Sequence, residues 1–401
     1  MEGPIDRLGI LISMKIVESL AFVLFFLTPV LLLAGCSRGE EPAKTPRPVG
    51  VSAPPSPAVG DFEPQVRKGF RVEKWADVPA ARSLAVSPDG KTVFVGTRQG
   101  RVSRVTVGEQ GPEVETFQDN LNGSNGVCFA GEDLIVAELL RVRRFPAEDG
   151  FEPGAEGEVI LDGLPGETHH GWRYIRMGPD GRLRLSIGAP CNVCERKEDP
   201  RFATICSFTT EGRDFRIEAK GVRNSVGFDW EPKSQVFYFT DNGRDQLGDD
   251  IPPCELNRLV AGEEGSHYGF PYFWGDNQPD PKFADLAPPL DFVKPFVKFQ
   301  AHVAPLGCYF PKGERLKAAL KDQVIVAQHG SWNRSTPVGY QVVTVDLKNP
   351  EAEPEPLLWG FLDEGDTDRT FGRPVDAAEL PDGTLLVSDD YGGVIWAVRP
   401  L

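Results

Sequence analysis

Positive charge is scarce in this 401-residue chain, which carries 43 lysines and arginines against 59 aspartates and glutamates. The formal net charge at pH 7 is therefore -16. An acidic surface repels the phosphate backbone of nucleic acids, so we do not expect DNA or RNA as a partner. The excess of acidic residues favours solubility and gives no information about the fold.

A long apolar run is also missing, because the main apolar stretch extends only from Leu20 to Leu33. This is shorter than the ~20 residues of a membrane-spanning helix. It follows Lys15 and ends in the letters LAGC at Cys36, which is the layout of a secretory signal and resembles a bacterial lipobox. We predict that residues 1–36 are a lipoprotein signal peptide and that Cys36 is lipidated. A plain signal peptide or a short anchor is the alternative.

The same region gives expectations for location. We expect an exported bacterial lipoprotein, held by its lipid anchor on the periplasmic or cell-surface face of a membrane. Ser37 is not an inner-membrane retention signal, so the outer membrane is preferred. Translation starts at Met1 or Met14. Residues 37–66 are rich in proline, serine and charge, which predicts a disordered tether before a folded domain at residues 67–401.

Metal-binding motifs are sparse as well. The chain has only five histidines, and its one Cys-x-x-Cys, at Cys191 and Cys194, lacks the second pair that a zinc site needs. Six cysteines remain after Cys36, and an even number in an oxidising compartment favours disulfides. We expect disulfides of open connectivity, with free buried thiols or a metal site as alternatives.

The sequence does contain a repeat. Alternating apolar residues, a Pro-Asp-Gly or similar turn and a second strand recur, whereas strong helical periodicity does not. Six copies begin near residues 83, 126, 174, 225, 306 and 375. The first spacings, about forty to fifty residues, match a propeller blade. The repeat predicts an all-β chain folded as a six-bladed β-propeller, with a β-sandwich pair or a mixed fold as the alternative.

Two further segments have predicted places in this ring. The letters FRVEKWADV, which start at Phe70, form a spare strand that would complete the last blade. The letters GERLKAAL, which start at Gly313, contain helix formers and would lie between two strands. The later copies are more widely spaced, so those blades carry insertions.

Polar residues precede the first strand of each copy. Equivalent positions in a ring face the same end of the channel, so these residues should meet in one mouth: Arg82, Asn125, His170, Arg223, Asn224, His302 and Arg373. Arginines and histidines gathered in an acidic protein indicate an anionic ligand held by guanidinium contacts. For any one of them, a rim residue paired with an acid is the alternative.

A second polar feature is TDNGRDQLGDDIPPCELN, which starts at Thr240 and contains five acids. Calcium takes carboxylate and carbonyl oxygens from such loops. The spacing differs from that of an EF-hand, so a calcium site and a solvated acidic loop are equal alternatives.

These residues carry a family resemblance. The letters GVRNSVGFDW, TDNGRDQLGDD, GSHYGFP and GAPCNVCE resemble the glucose/sorbosone dehydrogenase family, and most closely its sorbosone dehydrogenase branch, over roughly residues 67–401. The resemblance implies a six-bladed propeller that binds pyrroloquinoline quinone (PQQ) and calcium and oxidises a sugar. Hydride then passes to PQQ, and the electrons pass on to an unidentified acceptor.

The resemblance also implies roles for individual residues. His170 matches the histidine that takes the proton from the sugar hydroxyl, a role suited to an unperturbed pKa near ~6.5. The candidate PQQ-binding residues, some matched to the family and some added from the predicted mouth, are Arg223, Asn224, Arg373, His302, Arg334, Asn125 and Arg82. The candidate calcium site comprises the carbonyls of Gly243 and Arg244, with Asp249 and Asp250 nearby. There the metal would orient PQQ and polarise its carbonyl.

Three departures from the family pattern shape the functional hypothesis. The acid that pairs with the histidine is replaced by Ala189, the lysine near the quinone by Gly330, and a threonine by His302. Arg334 or His329 would substitute for the lysine. The predicted substrate is therefore an aldose or sorbosone-type sugar other than glucose.

Two other functions remain open. A noncatalytic cell-surface propeller is favoured by Ala189 and Gly330 and opposed by His170 with Arg223 and Asn224. A propeller lactonase needs several carboxylates and an asparagine around a central metal, whereas the predicted mouth is richer in arginine and histidine.

Overall fold

The structure, a computed structural model, describes residues 62–286, 291–321, 323–363, 365–367 and 369–401. The predicted signal peptide, Cys36 and most of the predicted tether lie outside these residues. Six sheets of four or five mainly antiparallel strands follow one another along the described chain, with a separate two-stranded hairpin among them. The prediction of an all-β six-bladed propeller is confirmed.

The first two blades are regular four-stranded meanders. They are preceded by two strands, β1 (Gln65–Val66) and β2 (Phe70–Asp77). Blade 1 consists of β3 (Leu84–Val86), β4 (Thr92–Gly96), β5 (Val102–Gly108) and β6 (Gly111–Gln118). Blade 2 consists of β7 (Gly126–Ala130), β8 (Asp133–Ala137), β9 (Val142–Phe145) and β10 (Glu158–Leu161), with a 3-10 turn at Ala147–Asp149.

Blades 3 and 4 are linked by an insertion. Blade 3 consists of β11 (Ile175–Met177), β12 (Leu183–Ile187), β13 (Thr204–Phe208) and β14 (Arg216–Lys220). Blade 4 starts with β15 (Phe228–Trp230), β16 (Phe237–Asp241) and β17 (Cys254–Leu259). The insertion holds β18 (Ser266–His267), which pairs with β14, and a hairpin of β19 (Phe273–Trp274) and β20 (Gln278–Pro279). Blade 4 ends with β21 (Val297–Phe299).

Blades 5 and 6 complete the ring. Blade 5 consists of β22 (Pro305–Tyr309), helix α1 (Glu314–Leu320), β23 (Val324–Gln328), β24 (Gln341–Val345) and β25 (Glu355–Trp359). Blade 6 consists of β26 (Pro374–Glu379), β27 (Leu385–Asp389) and β28 (Val394–Pro400). Each blade's first strand begins within three residues of the predicted repeat start. The predicted helix is confirmed as α1.

The ring is closed by the first strands of the chain. Strand β2 pairs with β28 from Phe70 opposite Pro400 to Asp77 opposite Val394, which confirms the spare strand. Strand β1 extends blade 5 by pairing with β25. The predicted tether at 37–66 therefore extends too far, because its last residues pair in a sheet and Phe62 stacks on Phe371 with ring centroids 4.6 Å apart.

Apolar side chains fill the spaces between neighbouring blades. One buried cluster joins Ile135 of β8 to Leu185 of β12, and another joins Leu358 of β25 to Trp396 of β28. Because alternate residues of a strand face opposite sides of its sheet, each blade can pack on both neighbours. This packing fixes the ends of the inner strands, which carry the candidate site.

The cysteines divide into one pair and four single thiols. Cys191 and Cys194 form a disulfide, whereas the free cysteines, all buried, are Cys128, Cys206, Cys254 and Cys308. The expectation of disulfides is thus correct for the Cys-x-x-Cys alone. Over the described ranges no helix has the length and apolar character needed to cross a membrane.

Candidate active site

The mouth is the end of the ring where the first strand of each blade begins and the second strand ends. Hydrogen bonds cross every junction between blades here. Those of blades 1–3 join Arg82 Nε to Asn125 Oδ1 at 2.6 Å and Asn125 Nδ2 to the Arg173 carbonyl at 2.9 Å. Those further round join the Ala189 N–H to the Arg223 carbonyl at 2.8 Å and Asn242 Nδ2 to the Pro305 carbonyl at 3.1 Å.

The last two junctions meet at blade 6. Arg373 Nε donates to the His329 carbonyl at 3.0 Å, and an Arg82 guanidinium N–H donates to Asp390 at 2.5 Å. Four of the seven residues predicted for the mouth thus take part in one ring of hydrogen bonds: Arg82, Asn125, Arg223 and Arg373.

Asp390, directly after β27, is the centre of a cation-rich cluster. It accepts from Arg82 and, at 2.8 Å, from His329 Nε2, and it lies 3.8 Å from the Arg98 guanidinium. Burial opposes its ionisation, but His329, Arg82 and Arg98 outweigh burial and hold the Asp390 pKa well below its usual range. Burial, assisted by Arg373, lowers the His329 pKa to about 3, so that His329 is neutral and donates.

Arg82 and Asn125 lie beneath the mouth surface. Each is only 1% exposed, and their polar groups are bonded to each other and to their neighbours. Their predicted contact with a cofactor is therefore corrected: they support the site from below. Arg82 is held there because a buried guanidinium needs partners for its N–H groups.

Two other arginines have guanidinium groups that are available to a ligand. Arg98 lies 3.9 Å from the ring centre of Trp172, and its buried Nε has no hydrogen-bond partner. Arg373 is oriented by the carbonyls of His329 and Gly330 and makes no ion pair with a described residue. An anion at the mouth would satisfy both guanidinium groups.

His170 is arranged as a base. Its Nδ1 lies 2.8 Å from the Ala189 carbonyl, which can only accept, so Nδ1 carries the proton and Nε2 keeps its lone pair. Burial, then Arg223 and His169, lower the His170 pKa well below its usual value. The imidazole is thus neutral at pH 7. Gly188 permits this position, because a Cβ there would lie 2.6 Å from that of His170.

His169 has a different environment from its neighbour. It is exposed, and its ring centroid lies 4.1 Å from that of His170. Asn224 is the other polar group beside His170: its Oδ1 would be 3.1 Å from a Cβ on Gly188, and its side-chain amide bonds to no described residue. Asn224 is therefore available to a ligand next to the base.

Arg223 is less available than predicted. It is 4% exposed, and its N–H groups donate to Asn192 O and Oδ1, Asn242 O and Asp245 Oδ2 at 2.8 to 3.2 Å. An arginine has five N–H groups. Only one therefore remains for a ligand, and the main role of Arg223 is to connect loops.

The acidic loop after β16 presents two free carbonyls. The carbonyls of Gly243 and Arg244 accept no hydrogen bond from the described residues, whereas those of Asn242 and Asp245 are occupied by Arg223 and Asn192. Adjacent carbonyl oxygens without hydrogen bonds are suitable ligands for calcium. The backbone part of the predicted site thus fits the metal.

The acidic side chains of the same loop have other partners. The Asp249 carboxylate accepts from the Ser335 N–H at 3.1 Å, and that of Asp250 lies 3.1 Å from Arg334, which also donates to the Asp249 carbonyl. Within the described part of the chain, no three His, Cys, Asp or Glu side chains converge on a metal position. In this structure Asp249 and Asp250 anchor the loop, and their place near the metal stays a prediction.

His302 and Arg334 clamp this loop. His302 Nε2 donates to the Gly248 carbonyl at 2.8 Å, and Arg334 holds the next two residues. Both were predicted to bind the cofactor directly. His302 Nε2 and the terminal nitrogens of Arg334 are engaged with the loop, whereas the buried Arg334 Nε has no hydrogen-bond partner among the described residues and stays available to a ligand.

Gly330 leaves no space for the family's lysine. Its φ is 98°, and a Cβ there would lie 2.5 Å from the Tyr340 ring. Arg373 lies over that same ring at 5.3 Å and donates to the Gly330 carbonyl. Arg373 therefore supplies the positive charge on this side, rather than His329 or Arg334.

Sequence reasoning missed three residues that follow the second strand of a blade, which are Arg98, His329 as an Asp390 partner, and Asp390. It also missed Asn192 in the disulfide loop and Trp172, which precedes the first strand of blade 3. A usable signal existed for some of them. Because the first two strands of a blade are antiparallel, the residue after the second strand lies beside the residue before the first.

One known protein matches most of the chain. A protein of Borreliella burgdorferi, named only as uncharacterized, is 40% identical over 352 residues, which are 83% of this chain and 90% of that protein. A family model described as TrAA12-like matches residues 273–400.

Solved structures share the fold. The calcium structure of Trichoderma reesei Carbohydrate-Active Enzymes Family AA12 superposes with a TM-score of 0.71 at 19% identity, over 84% of this chain and 97% of that one. The holo form of the pyranose dehydrogenase PQQ domain from Coprinopsis cinerea gives 0.70 at 20% identity, over 86% and 98%. At these identities the likeness establishes the propeller fold.

Proposed function

We propose that the chain is a sugar oxidoreductase, dependent on PQQ and calcium, of the glucose/sorbosone dehydrogenase family that its sequence resembles. The proposed substrate is an aldose or a sorbosone-type sugar, and the electrons leave to an external acceptor. The observation that carries the proposal is that His170 is neutral and has a free Nε2 at the mouth. The same mouth contains Arg98 and Arg373, whose guanidinium groups can bind an anion.

The residues of the mouth fit PQQ, which is a planar tricarboxylate. Arg98 and Arg373 offer guanidinium N–H groups to carboxylates, and Asn224 offers an unpaired amide. Trp172 and Tyr340 lie beneath the two guanidinium groups and fix them by stacking. Calcium would be held by the carbonyls of Gly243 and Arg244 together with the cofactor.

The chain's own part in the reaction is proton transfer and orientation. When bound, PQQ supplies the acceptor for the hydride and calcium supplies a Lewis acid. His170 Nε2 takes the proton of the sugar hydroxyl. The Nδ1–H bond to the Ala189 carbonyl holds the ring in place and strengthens when the imidazole becomes charged. A main-chain carbonyl thus supports the histidine at the position where the family has an acid.

The other functions have less support. A lactonase needs carboxylates grouped around a metal, and the described residues contain no such group. A noncatalytic propeller was suggested by Ala189 and Gly330, but the Ala189 carbonyl and Arg373 supply an orienting contact and a cation at those two places.

The location proposed from the sequence accompanies this function. An exported chain with lipid at Cys36 would place the propeller outside the cytoplasmic membrane, on the periplasmic or cell-surface side. The support is the order of charged, apolar and small residues that ends at Cys36.

The proposal is tested by reconstitution. Purified protein is titrated with PQQ and calcium by calorimetry and absorbance, and reduction of a dye is followed with a panel of aldoses and with sorbosone. His170→Ala should abolish turnover and keep the cofactor, because the base is lost and the cations stay. His169→Ala is the control and should keep both. Failure of the unaltered chain to bind PQQ would overturn the proposal.

A further inference from the structure

The loop that follows β12 contacts the two halves of the candidate site. It is closed by the Cys191–Cys194 disulfide. Just before it, the Ala189 carbonyl fixes the His170 ring at 2.8 Å. Inside it, Asn192 accepts two bonds from Arg223, one at its carbonyl (2.8 Å) and one at Oδ1 (2.9 Å).

Asn192 also reaches the candidate calcium segment. Its Oδ1 accepts from the Asp245 N–H at 2.9 Å, and its Nδ2 donates to the Asp245 carbonyl at 3.1 Å. On the other side of the segment, Arg223 donates to the Asn242 carbonyl at 3.1 Å. The free carbonyls of Gly243 and Arg244 thus lie between two anchored residues, and Asn192 contacts or orients both anchors.

We propose that Asn192 is a positioning residue for the calcium-binding carbonyls and that the Cys191–Cys194 disulfide holds it there. The inference rests on the proposed function. Three groups that lie far apart in the chain, His170, Arg223 and Asp245, are connected through the four consecutive residues from Ala189 to Asn192. Partners of ligating groups contribute strongly to metal affinity, and their loss typically weakens binding by 10- to 100-fold.

The disulfide is open to chemical reduction. Cys194 lines a surface groove of about 230 Å³, together with Lys220, His267 and Tyr272. A water-soluble phosphine breaks the S–S bond and leaves as its oxide, taking oxygen from water, whose two protons complete the two thiols. The four other cysteines are buried, and burial raises the pKa of Cys128 and of Cys206 to about 12. Alkylation after reduction should therefore label the loop among the described cysteines.

The test compares variants of the full chain. Calcium affinity is measured by calorimetry in the presence of PQQ, and amide hydrogen exchange is measured in peptides that cover residues 167–171 and 241–246. Asn192→Ala should raise the calcium Kd by ~10-fold or more and increase exchange in 241–246. Asn192→Asp keeps the acceptor for Arg223 and should be intermediate. Asn349→Ala, at an exposed turn, is the matched control.

Reduction is tested in the same assays. Phosphine treatment of the unaltered chain, and the double variant Cys191→Ser with Cys194→Ser, should both weaken calcium binding and increase exchange in the two segments. Phosphine should add nothing to the double variant, and mass mapping of alkylated peptides identifies the reduced cysteines.

The outcomes separate this inference from the proposed function. Unchanged exchange and unchanged calcium Kd in Asn192→Ala would overturn the positioning role. An equal effect of phosphine on the double variant would overturn the role of the disulfide. If the unaltered chain binds neither calcium nor PQQ while exchange still rises in Asn192→Ala, the proposed function fails, the calcium role fails with it, and the loop contact alone stands.

Discussion

At the scale of single residues, adjacent positions in the sequence have different chemistry. His169 is exposed, whereas His170 is half-buried and hydrogen-bonded through Nδ1. The difference arises from the left-handed backbone of His170, with φ of 51°, which turns its side chain over Gly188. The family resemblance identified His170, but the identity of its partner required coordinates, because a main-chain carbonyl leaves no signature in the sequence.

The His170 environment predicts the pH dependence of the reaction. Its pKa is lowered by burial and by Arg223, so the neutral, proton-accepting form persists as the pH falls through ~6.5. The value of kcat/KM for the loaded enzyme should therefore stay level through that pH and decline only below it. A rate profile over about pH 4 to 8 checks this. A fall in kcat/KM on the acid side with its midpoint at or above pH ~6.5 would contradict this prediction.

Arg82 and Arg373 look alike in the sequence and should respond differently to substitution. Arg82→Met leaves the buried Asp390 without its closest partner, which should lower the free energy of unfolding by about 3 kcal/mol. Arg373→Gln removes no ion pair, so stability should change by less than ~1 kcal/mol while the PQQ Kd rises ~10-fold. Denaturant unfolding and calorimetry measure the two effects. Equal stability losses would contradict the assignment.

At the scale of elements, the repeat located the strands and half of the mouth. The start of the first strand of blade 1 was predicted at residue 83 and lies at Leu84, because the Pro-Asp-Gly turn and alternation are local signals. Asp390 and Arg98 follow second strands and were missed. Their role depends on which charges meet across blades, and those distances arise only when the ring is assembled.

Gly330 provides a test of element packing. Gly330→Lys, which restores the family residue, should lower the melting temperature and fail to improve PQQ binding, because its Cβ would meet the Tyr340 ring at 2.5 Å. Gly69→Lys is the matched control, since φ is 93° there and nothing lies within 4 Å. The control carries the backbone strain alone, about 1–2 kcal/mol. Equal melting temperatures for the two variants would contradict the prediction, because they would show that the Tyr340 ring moves aside without cost.

At the scale of the whole molecule, the proposed lipid anchor and the candidate active site belong to separate parts of the chain. The described fold begins at residue 62, after the predicted lipid-bearing Cys36. When the chain is expressed in a bacterium that lipidates exported proteins, Cys36→Ser should move the protein from the membrane fraction to the soluble fraction, with dye-linked activity kept. Fractionation followed by immunoblotting and the sugar assay checks this. Retention of the variant in the membrane fraction would contradict lipid anchoring at Cys36.

The closure of blade 6 has a consequence for the timing of folding. Phe70 pairs with Pro400, so one of the earliest residues of the domain must wait for one of the last. At about 5–20 residues per second, that wait is on the order of half a minute during synthesis. A chain without its final strand cannot close the ring. Such a delay would suit the export that we propose for this chain. Pairing between residues so far apart in the sequence also makes slow refolding the expected behaviour in vitro.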